Sequence, residues 1–263
     1  MDPQGRVVIL TGATQGIGLA TAHHLAQTGC QLALAARNQE RLDALVRELN
    51  IKGTQAIAVA IDMGDTAQAA NLVAVTIKTF GRLDIIINNA AIGVRDEVTK
   101  LDEAEARRVM DVNYFGPVAL IQAAIPHFKA NPQGGLIINI SSIVGRRAMP
   151  GIAGYCASKA ALEKMAESLR IELKRDNIRV STVYPGVTAT RFNDNSLGDS
   201  PLGRGRIEGV PPKRVAHAIL QTIRHERRDV FITLFDRAFV TVSTVWPWFM
   251  DYLLSRYSGR SAK

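Results

Sequence analysis

The chain has few of the residues that would cross-link it or bind a metal. Two of its 263 residues are cysteines, Cys30 and Cys156, and aromatic residues make up 6%. Their number and spacing give neither a disulfide framework nor a metal motif, and they suit a reducing compartment. The opening MDPQGRVVILTG lacks the basic flank and apolar stretch of a signal peptide. We therefore expect a cytoplasmic protein without a metal site.

Acidic residues are outnumbered by basic ones, 24 against 32, which gives a formal net charge of +8. Positive charge can indicate nucleic-acid binding. Here the basic residues are spread along the chain instead of being gathered into one run. We interpret the excess as a solvated basic surface and predict no nucleic-acid partner. A phosphorylated cofactor would also favour local positive charge.

Repeats, low-complexity runs and linkers are absent, while hydrophobic residues make up 47%, enough for a sizeable core. Apolar runs alternate with helical patterns, and seven runs are strand-like: 6–10, 31–36, 55–62, 83–88, 135–141, 178–186 and 229–233. They are apolar throughout, as in strands buried on both faces of a parallel sheet. We predict an α/β fold with a doubly wound parallel sheet of about seven strands, in one domain over 1–263.

A glycine-rich turn, TGATQGIG, follows the first strand. Such glycines permit a tight turn, close approach of the backbone to a pyrophosphate and tight helix–strand packing. The next helix directs its N-terminal amides at the anion. The spacing alone could be a turn that merely starts a helix, but its place after the first strand favours a dinucleotide site. The residues assigned to it are Gly12, Thr14, Gln15, Gly16, Ile17 and Gly18.

The end of the second strand, LALAARNQERL, discriminates between cofactors. An NAD site usually has an acidic residue there, whereas an arginine accommodates the 2′-phosphate of NADP. Ala36 and Arg37 stand at that place, and Arg37 could pair with a phosphate. The alternative is a solvated arginine that starts a helix. We predict NADP(H) as the cofactor, bound in part by Arg37 and Asn38.

The third and fourth strands end in polar residues. Asp62, followed by Met63, could bond the adenine edge or could cap a helix. NNAAIG follows the fourth strand, and Asn89 and Ala90 could line the path between adenosine and nicotinamide. Asparagine is ordinary in a turn, so the NNAAIG segment is informative only together with the other motifs.

In GYCASKAALEKM, Tyr155 and Lys159 are one helical turn apart. Taken alone, the spacing could be an incidental pair of amphipathic side chains on one helix face. A tyrosine could, however, exchange a proton if its pKa, about 10 in the free residue, were lowered. A positive charge at ~4 Å and an effective dielectric of ~20 is worth roughly 4 kcal/mol, or about three pKa units. We expect Lys159 to bring the pKa of Tyr155 near neutrality, where acid–base catalysis is efficient.

Together these motifs resemble the short-chain dehydrogenase/reductase family. The resemblance covers roughly residues 5–190, and Ala91 departs from the usual glycine. It rests on the order and spacing of TGATQGIG, Asp62, NNAA, Asn113 in DVNYFG, Ser142 in NISS, Tyr155 with Lys159, and YPG at 184–186. The resemblance implies a single Rossmann-like domain, NAD(P)-dependent alcohol oxidation or carbonyl reduction, and a homodimer or homotetramer.

The resemblance also implies residue roles. Tyr155 would be the general acid/base, and Lys159 would lower its pKa and hold the nicotinamide ribose. Ser142 would bond the substrate oxygen, and Asn113 would hold a water in a proton relay. Neighbouring strand residues point to opposite faces, so we choose Ser142 over Ser141 for its spacing to the tyrosine. The residues expected near the nicotinamide carboxamide are Pro185, Gly186, Val187, Thr188 and Thr190.

Two segments lie largely outside these motifs. Residues of about 188–212 form a predicted substrate loop, either a mobile lid or an ordinary surface loop. Residues of about 234–257 form an apolar, aromatic tail, interrupted by Pro247 and short for a span of ~20 residues. The tail could pack on a partner subunit or cover the pocket, lie in a membrane interface, or close its own core. Its apolar character indicates a lipophilic substrate.

Two functions follow from the sequence. The first is an NADP(H)-dependent oxidoreductase that interconverts a carbonyl and a secondary alcohol, with a tyrosine as acid/base. The alternative is a non-catalytic NADP(H)-sensing or interaction protein on the same fold. The presence of Asn113, Ser142, Tyr155 and Lys159 together favours the enzyme, because a sensor needs no general acid.

Overall fold

The computed structural model describes residues 1–198 and 208–260. Seven strands of this part form one sheet: β1 Val7–Thr11, β2 Gln31–Ala36, β3 Ala56–Ala60, β4 Ile85–Asn88, β5 Gly135–Ile140, β6 Ile178–Tyr184 and β7 Asp229–Phe231. Their order is β3-β2-β1-β4-β5-β6-β7, and every neighbouring pair is parallel. The predicted doubly wound parallel sheet is confirmed.

Helices connect the strands and cover the sheet. In the described residues they are α1 Gly16–Ala26, α2 Gln39–Ile51, α3 Thr66–Phe80, α4 Glu103–Met110, α5 Gly116–Ala130, α6 Ile143–Arg146, α7 Ala153–Glu172, α8 Pro212–His225, α9 Leu234–Val245 and α10 Pro247–Arg260. Several begin at the polar caps that stabilise helix N-termini. Asn38 caps α2, Asp65 caps α3 and Asp102 caps α4.

Both faces of the sheet are buried, which explains the apolar strands. Ile9 lies in a core cluster shared with α3, α5 and α7, while its neighbour Leu10 lies in a second cluster shared with α1, α2 and α8. Successive strand residues alternate between these two faces. The strand residues that face the two cores are therefore mostly apolar, and buried polar exceptions such as Asn88 and Asn139 are hydrogen-bonded to each other.

The sequence predicts one helical region over about 101–129, but the structure divides it. A π-helical turn, Asp111–Phe115, separates α4 from α5, and the Gly116 amide bonds the Asp111 carbonyl. A Cβ on Gly116 would lie 2.1 Å from the Met63 carbonyl oxygen, so the helix packs directly on that backbone. Such turns mark inserted residues and occur often at functional sites.

The apolar tail forms α9 and α10, which meet at Trp246 and Pro247. Proline lacks an amide hydrogen and fits the first position of a new helix, so the tail bends there. Among the described residues, no helix combines the length and apolarity needed to cross a bilayer.

Candidate active site

A cleft of about 1350 Å³ opens beyond the carboxyl ends of the strands. Ligands bind at this edge in open α/β sheets. The predicted residues that line it are Gly12, Thr14, Gln15, Gly16, Ile17, Gly18, Arg37, Asn38, Asp62, Met63, Asn89, Ala90, Ser142, Tyr155, Lys159, Pro185, Gly186, Val187, Thr188 and Thr190. Asn113 is the one predicted residue that does not line it.

The glycine turn leaves no room for side chains. Gly12 has φ +67°, and a Cβ there would lie 2.9 Å from Ala90 Cα. A Cβ on Gly18 would lie 2.0 Å from the Gly12 carbonyl oxygen. Helix α1 begins here, and its N-cap residue Gln15 makes no side-chain capping bond. The first amides of α1 are therefore available to an anion in the cleft.

Asn89 joins the loop after β4 to the glycine turn. Its side-chain amide donates to the Thr11 carbonyl at 2.9 Å and to the Gly12 carbonyl at 3.2 Å. In return, the Thr11 hydroxyl accepts from the Asn89 and Ala90 amides, both at 3.0 Å. The sequence assigned no role to Thr11, although it opens the glycine motif. The Thr11–Asn89 contacts hold the two loops at a fixed separation.

Two arginines stand at the end of the cleft beside β2. Arg37 was predicted from the sequence; Arg41, in the first turn of α2, also lines the cleft and was missed. Its place in the first turn of the helix that follows the second strand was the signal that could have found it. Asn38 accepts the Arg41 amide at 2.8 Å and so caps α2. Both guanidinium groups are exposed, and Ala36 brings no acid to oppose an anion.

Asp62 is held by neighbours on both sides. Its carboxylate accepts from the Gly64 amide at 2.9 Å and from the Arg108 guanidinium. Burial opposes its charge, but these hydrogen bonds and the charges of Arg108 and Arg37 outweigh burial, so the pKa of Asp62 is lowered. The alternative prediction that Asp62 caps a helix is wrong, since Asp65 caps α3.

The two serines after β5 face different partners. Ser141 is buried and donates to the Lys159 carbonyl at 3.3 Å. The Ser142 hydroxyl donates to the Pro185 carbonyl at 3.2 Å and accepts the Val144 amide at 3.3 Å, and its interaction with Tyr155 lowers the pKa of the phenol. Ser142 therefore links the start of α6 to the tyrosine, while Ser141 supports the backbone of α7.

The pKa of Tyr155 differs from the sequence-based expectation. Burial raises it, the neighbouring Cys156 raises it further, and only the hydrogen bond with Ser142 lowers it. The expected lowering by Lys159 is therefore wrong for this structure. The ammonium of Lys159 lies 5.8 Å from the tyrosine ring centroid and is not among the causes of the shift.

Lys159 is buried, with 2% of its surface exposed. Its ammonium donates to the Ile140 carbonyl at 2.9 Å, at the end of β5. Burial lowers the pKa of Lys159 from 10.5 to about 7. An amine with this pKa can gain or lose a proton near neutral pH, as proton relays require.

The Lys159 pKa gives a prediction for stability. Between the folded pKa of about 7 and the ordinary value of 10.5, the unfolded chain binds more protons than the folded chain. The free energy of unfolding should therefore rise with pH in this window, with a slope approaching about 1.4 kcal/mol per pH unit. Urea titrations of wild type and Lys159→Met from about pH 7 to about pH 9 measure it. The rise should be smaller in the variant by this amount; parallel curves would contradict the assignment.

Asn113 lies outside the cleft, and its side chain is hydrogen-bonded to other segments of the chain. Its side-chain oxygen accepts the Ile92 amide at 2.9 Å, and its amide donates to the Ile92 carbonyl at 2.8 Å and to the Ser158 hydroxyl at 2.9 Å. The residue is fully buried in the π-helical turn. The side chain thus fastens the loop after β4 to α7, and its polar atoms are already engaged.

An ion pair that the sequence did not reveal fastens α6, the short helix that Ser142 caps. Arg146 ends α6, and its Nε lies 2.6 Å from Glu163 Oε1 on α7. Arg146 also donates to the Tyr184 hydroxyl at 2.7 Å. Glu163 is one turn beyond Lys159, so the Arg146–Glu163 pair fixes Ser142 relative to the helix that carries Tyr155.

The described part of the predicted substrate loop lies beside Tyr155. Leu197 pairs with Val94 in a parallel bridge, which attaches the loop to the segment after β4. The Phe192 ring packs against the Tyr155 ring with centroids 5.4 Å apart. No sequence signal identified Phe192, because the contact joins distant segments. Residues 199–207, the centre of the predicted loop, lie outside the described residues.

The described part of the tail contributes no lining residue to the cleft. Its inner face packs on the protein: Val240 and Met250 are buried, and Arg147 of the segment after α6 forms an ion pair with Asp251. In the described residues, the tail therefore does not cover the pocket. Only one of its faces packs against the core of its own chain.

Comparisons with known proteins agree with this geometry. A family model described as short chain dehydrogenase matches residues 6–200. The uncharacterized oxidoreductase YxnA of Bacillus subtilis (strain 168) is 33% identical over 255 residues, which cover 95% of this chain and 72% of that protein. The similarity therefore extends beyond the motifs into most of the chain.

Two solved structures share the fold. A short chain dehydrogenase/reductase from Burkholderia phymatum in complex with NAD has a TM-score of 0.88 at 22% identity, over 95% of this chain and 96% of that one. A short chain dehydrogenase from Burkholderia cenocepacia J2315 in complex with NADP has a TM-score of 0.82 at 26% identity, over 97% and 99%. The first comparison concerns the fold alone because of its low identity.

Proposed function

The chain belongs to the short-chain dehydrogenase family of nicotinamide-dependent oxidoreductases, and from this premise we propose that it reduces a ketone or aldehyde, or oxidises the corresponding alcohol, with NADP(H). One observation carries the proposal. Tyr155 and Ser142 stand in the same cleft as the glycine turn and Lys159. A proton donor and a dinucleotide cradle are the two parts that carbonyl reduction requires.

The residues of the cleft fit a dinucleotide. Side chains at Gly12 and Gly18 would collide with the loop after β4 and with the turn itself, so these glycines permit the tight turn that a pyrophosphate site requires. The uncapped start of α1 supplies amides for its charge. When bound, the nicotinamide supplies or accepts a hydride. Asn89, Ala90 and the segment 185–190 would hold its remaining parts, and Asp62 would lie toward the adenine end.

The preference for NADP(H) is argued from Arg37 and Arg41. Both line the cleft beside the end of β2, where the 2′-phosphate of the adenosine ribose would lie. Ala36 offers no carboxylate for the two hydroxyls of NAD(H). The Burkholderia cenocepacia relative has NADP bound, and the Burkholderia phymatum relative has NAD, so the family accommodates both cofactors.

In the proposed reduction, Tyr155 donates its proton to the substrate oxygen, and Ser142 steadies the charge on that oxygen. Because burial keeps the pKa of Tyr155 high, the phenol holds its proton at neutral pH and is available as a donor, but it is a weaker acid than a tyrosine with a pKa near neutrality. Lys159 would hold the nicotinamide ribose and return a proton to Tyr155. Asn113 would contribute to a water relay only through its main chain, since its side chain is engaged.

The substrate is proposed to be lipophilic. The cleft around Tyr155 includes a set of apolar side chains: Val94, Val144, Met149, Pro150, Ile152 and Phe192. These side chains would bury apolar surface of a substrate, next to polar residues that also line the cleft, among them Arg95, Asn193 and Ser196. We therefore propose a secondary alcohol or ketone with an apolar or aromatic body next to the reacting carbon.

For its setting in the cell we propose a cytoplasmic homodimer or homotetramer in which residues 1–263 form one catalytic domain. Ile171 of α7 and Phe115 beside α5 are apolar yet 80% and 47% exposed. Exposed apolar residues of this size support a contact between subunits. Size-exclusion chromatography with light scattering would measure the assembly.

The proposed function is tested with a panel of ketones, aldehydes and secondary alcohols, with NADPH consumption or NADP reduction followed by absorbance. We expect turnover of apolar ketones and little turnover of charged ones. NADPH binding without turnover of any panel member would contradict the enzyme and favour the sensing alternative.

A further inference from the structure

The outer faces of α9 and α10 carry a concentrated set of exposed apolar side chains, which we call the α9–α10 corner. Of the 13 large apolar residues exposed in the described part of the chain, eight belong to it: Leu234, Phe235, Val245, Trp246, Trp248, Phe249, Tyr252 and Leu253. Both tryptophans of the chain are among them, 56% and 71% exposed. Exposed patches of this kind mark contact with a partner or a membrane.

The corner is a firmly seated structure. A capping box between Thr233 and Asp236 fixes the start of α9. A Cβ on Gly186 would lie 2.1 Å from the Asp236 carboxylate, so α9 begins in direct contact with the chain after β6. The buried Met250 and the ion pair of Asp251 with Arg147 hold α10. The inner face of the two helices therefore packs against the rest of the protein, and the aromatic face is exposed.

The charges of the corner are cationic on its outer side. Its two acids are engaged, Asp236 in the buried capping box and Asp251 with Arg147. Arg237 and Arg256 are exposed, and the Arg256 guanidinium lies 4.7 Å from the Tyr252 ring centroid. Tryptophan, tyrosine and arginine around aliphatic residues are the composition of segments that lie in a bilayer interface.

We propose that the α9–α10 corner docks on a membrane surface that contains anionic phospholipid, with Trp246 and Trp248 at the depth of the headgroups. Charge complementarity distinguishes this occupant from a second copy of the chain. In a two-fold contact the patch would meet itself. Arg237 and Arg256 of both copies would then converge without a free acid of the corner to pair with them. The proposal does not depend on the reaction that the cleft performs.

The test uses the full chain and sedimentation with large vesicles, either phosphatidylcholine alone or phosphatidylcholine with about 30 mol % phosphatidylserine. Wild type should bind the anionic vesicles, and Trp246→Ser/Trp248→Ser should bind at least about tenfold more weakly. A matched control is Ile51→Ser/Val98→Ser, which removes two exposed apolar side chains elsewhere. It should bind like wild type. Thermal unfolding checks that each variant is folded.

A second measurement needs no variant. Because the corner holds both tryptophans of the chain, tryptophan emission of the wild type reports on it directly and should shift to shorter wavelength with anionic vesicles. Binding that is unchanged in the tryptophan variant would show general attraction of a basic protein and overturn the proposal. No binding to either vesicle would also overturn it. So would a loss of oligomer in the tryptophan variant without vesicle binding by the wild type, which would assign the corner to a second copy.

Discussion

Replacing Tyr155 by phenylalanine is expected to lower kcat/KM for carbonyl reduction about 10³-fold, because general acid catalysis contributes roughly 10²- to 10⁴-fold. The substitution removes one hydroxyl and keeps the ring that packs on Phe192 at 5.4 Å. NADPH binding should change by less than about threefold, since the lost group acts on the substrate oxygen. Steady-state rates on the best ketone of the panel, with cofactor titration, measure both quantities.

The direction of the Tyr155 pKa shift determines which protonation state, and so which direction of the reaction, the residue favours at neutral pH. Burial favours the neutral phenol, so the proton needed for reduction is present throughout the neutral range. Alcohol oxidation needs the phenolate, which becomes more populated as the pH rises. In wild type, the oxidation rate should therefore increase with pH, whereas reduction should not depend on prior ionisation of the tyrosine.

A matched control separates chemistry from packing. Tyr114 lies in the π-helical turn, does not line the cleft and also packs on a phenylalanine, Phe115, at 5.0 Å. Tyr114→Phe should keep the activity of wild type. If Tyr155→Phe retained activity within about tenfold of wild type, another group would be the proton donor and the assigned mechanism would be wrong.

The fold could be predicted because each strand is constrained on two sides. Neighbouring residues such as Ile9 and Leu10 pack into cores on opposite faces of the sheet. The strands therefore consist mainly of consecutive apolar residues, which can be recognised in the sequence. The glycine turn could also be predicted from the sequence, because only glycine fits at a position such as Gly18, where a Cβ would lie 2.0 Å from a carbonyl oxygen. Steric requirements of this kind are local, and sequence records them directly.

The electrostatics of the site could not be predicted in the same way. The spacing of Tyr155 and Lys159 gives the helical turn they share, but the lysine ammonium instead donates to Ile140, a residue of β5. The distance of 5.8 Å between the lysine ammonium and the tyrosine ring centroid, and the burial of both side chains, follow from tertiary packing. The same holds for Asn113. Its motif can be recognised in the sequence, but its hydrogen-bond partners Ile92 and Ser158 are 21 and 45 residues away along the chain and could not be predicted.

Replacing Arg37 by aspartate together with Arg41 by serine is expected to weaken NADPH binding about 100-fold and to change NADH binding by less than about threefold. A hydrogen bond to a charged group contributes about 1.5–3 kcal/mol, and about 1.4 kcal/mol corresponds to tenfold in affinity. Two such contacts to one phosphate account for the loss. An acid at position 37 could also accept bonds from the ribose hydroxyls of NADH. Calorimetric titration of both cofactors measures the ratio.

The matched control is Arg47→Asp. Arg47 is exposed on the same helix, α2, but does not line the cleft. It changes the net charge by two units, against three in the Arg37→Asp/Arg41→Ser variant, and so reports most of the long-range field effect, which salt would screen beyond about 10 Å. Arg47→Asp should leave the NADPH to NADH ratio nearly unchanged. Equal losses of NADPH and NADH in the Arg37 and Arg41 variant would remove both arginines from phosphate recognition, because the loss of contacts with the 2′-phosphate would weaken NADPH binding alone.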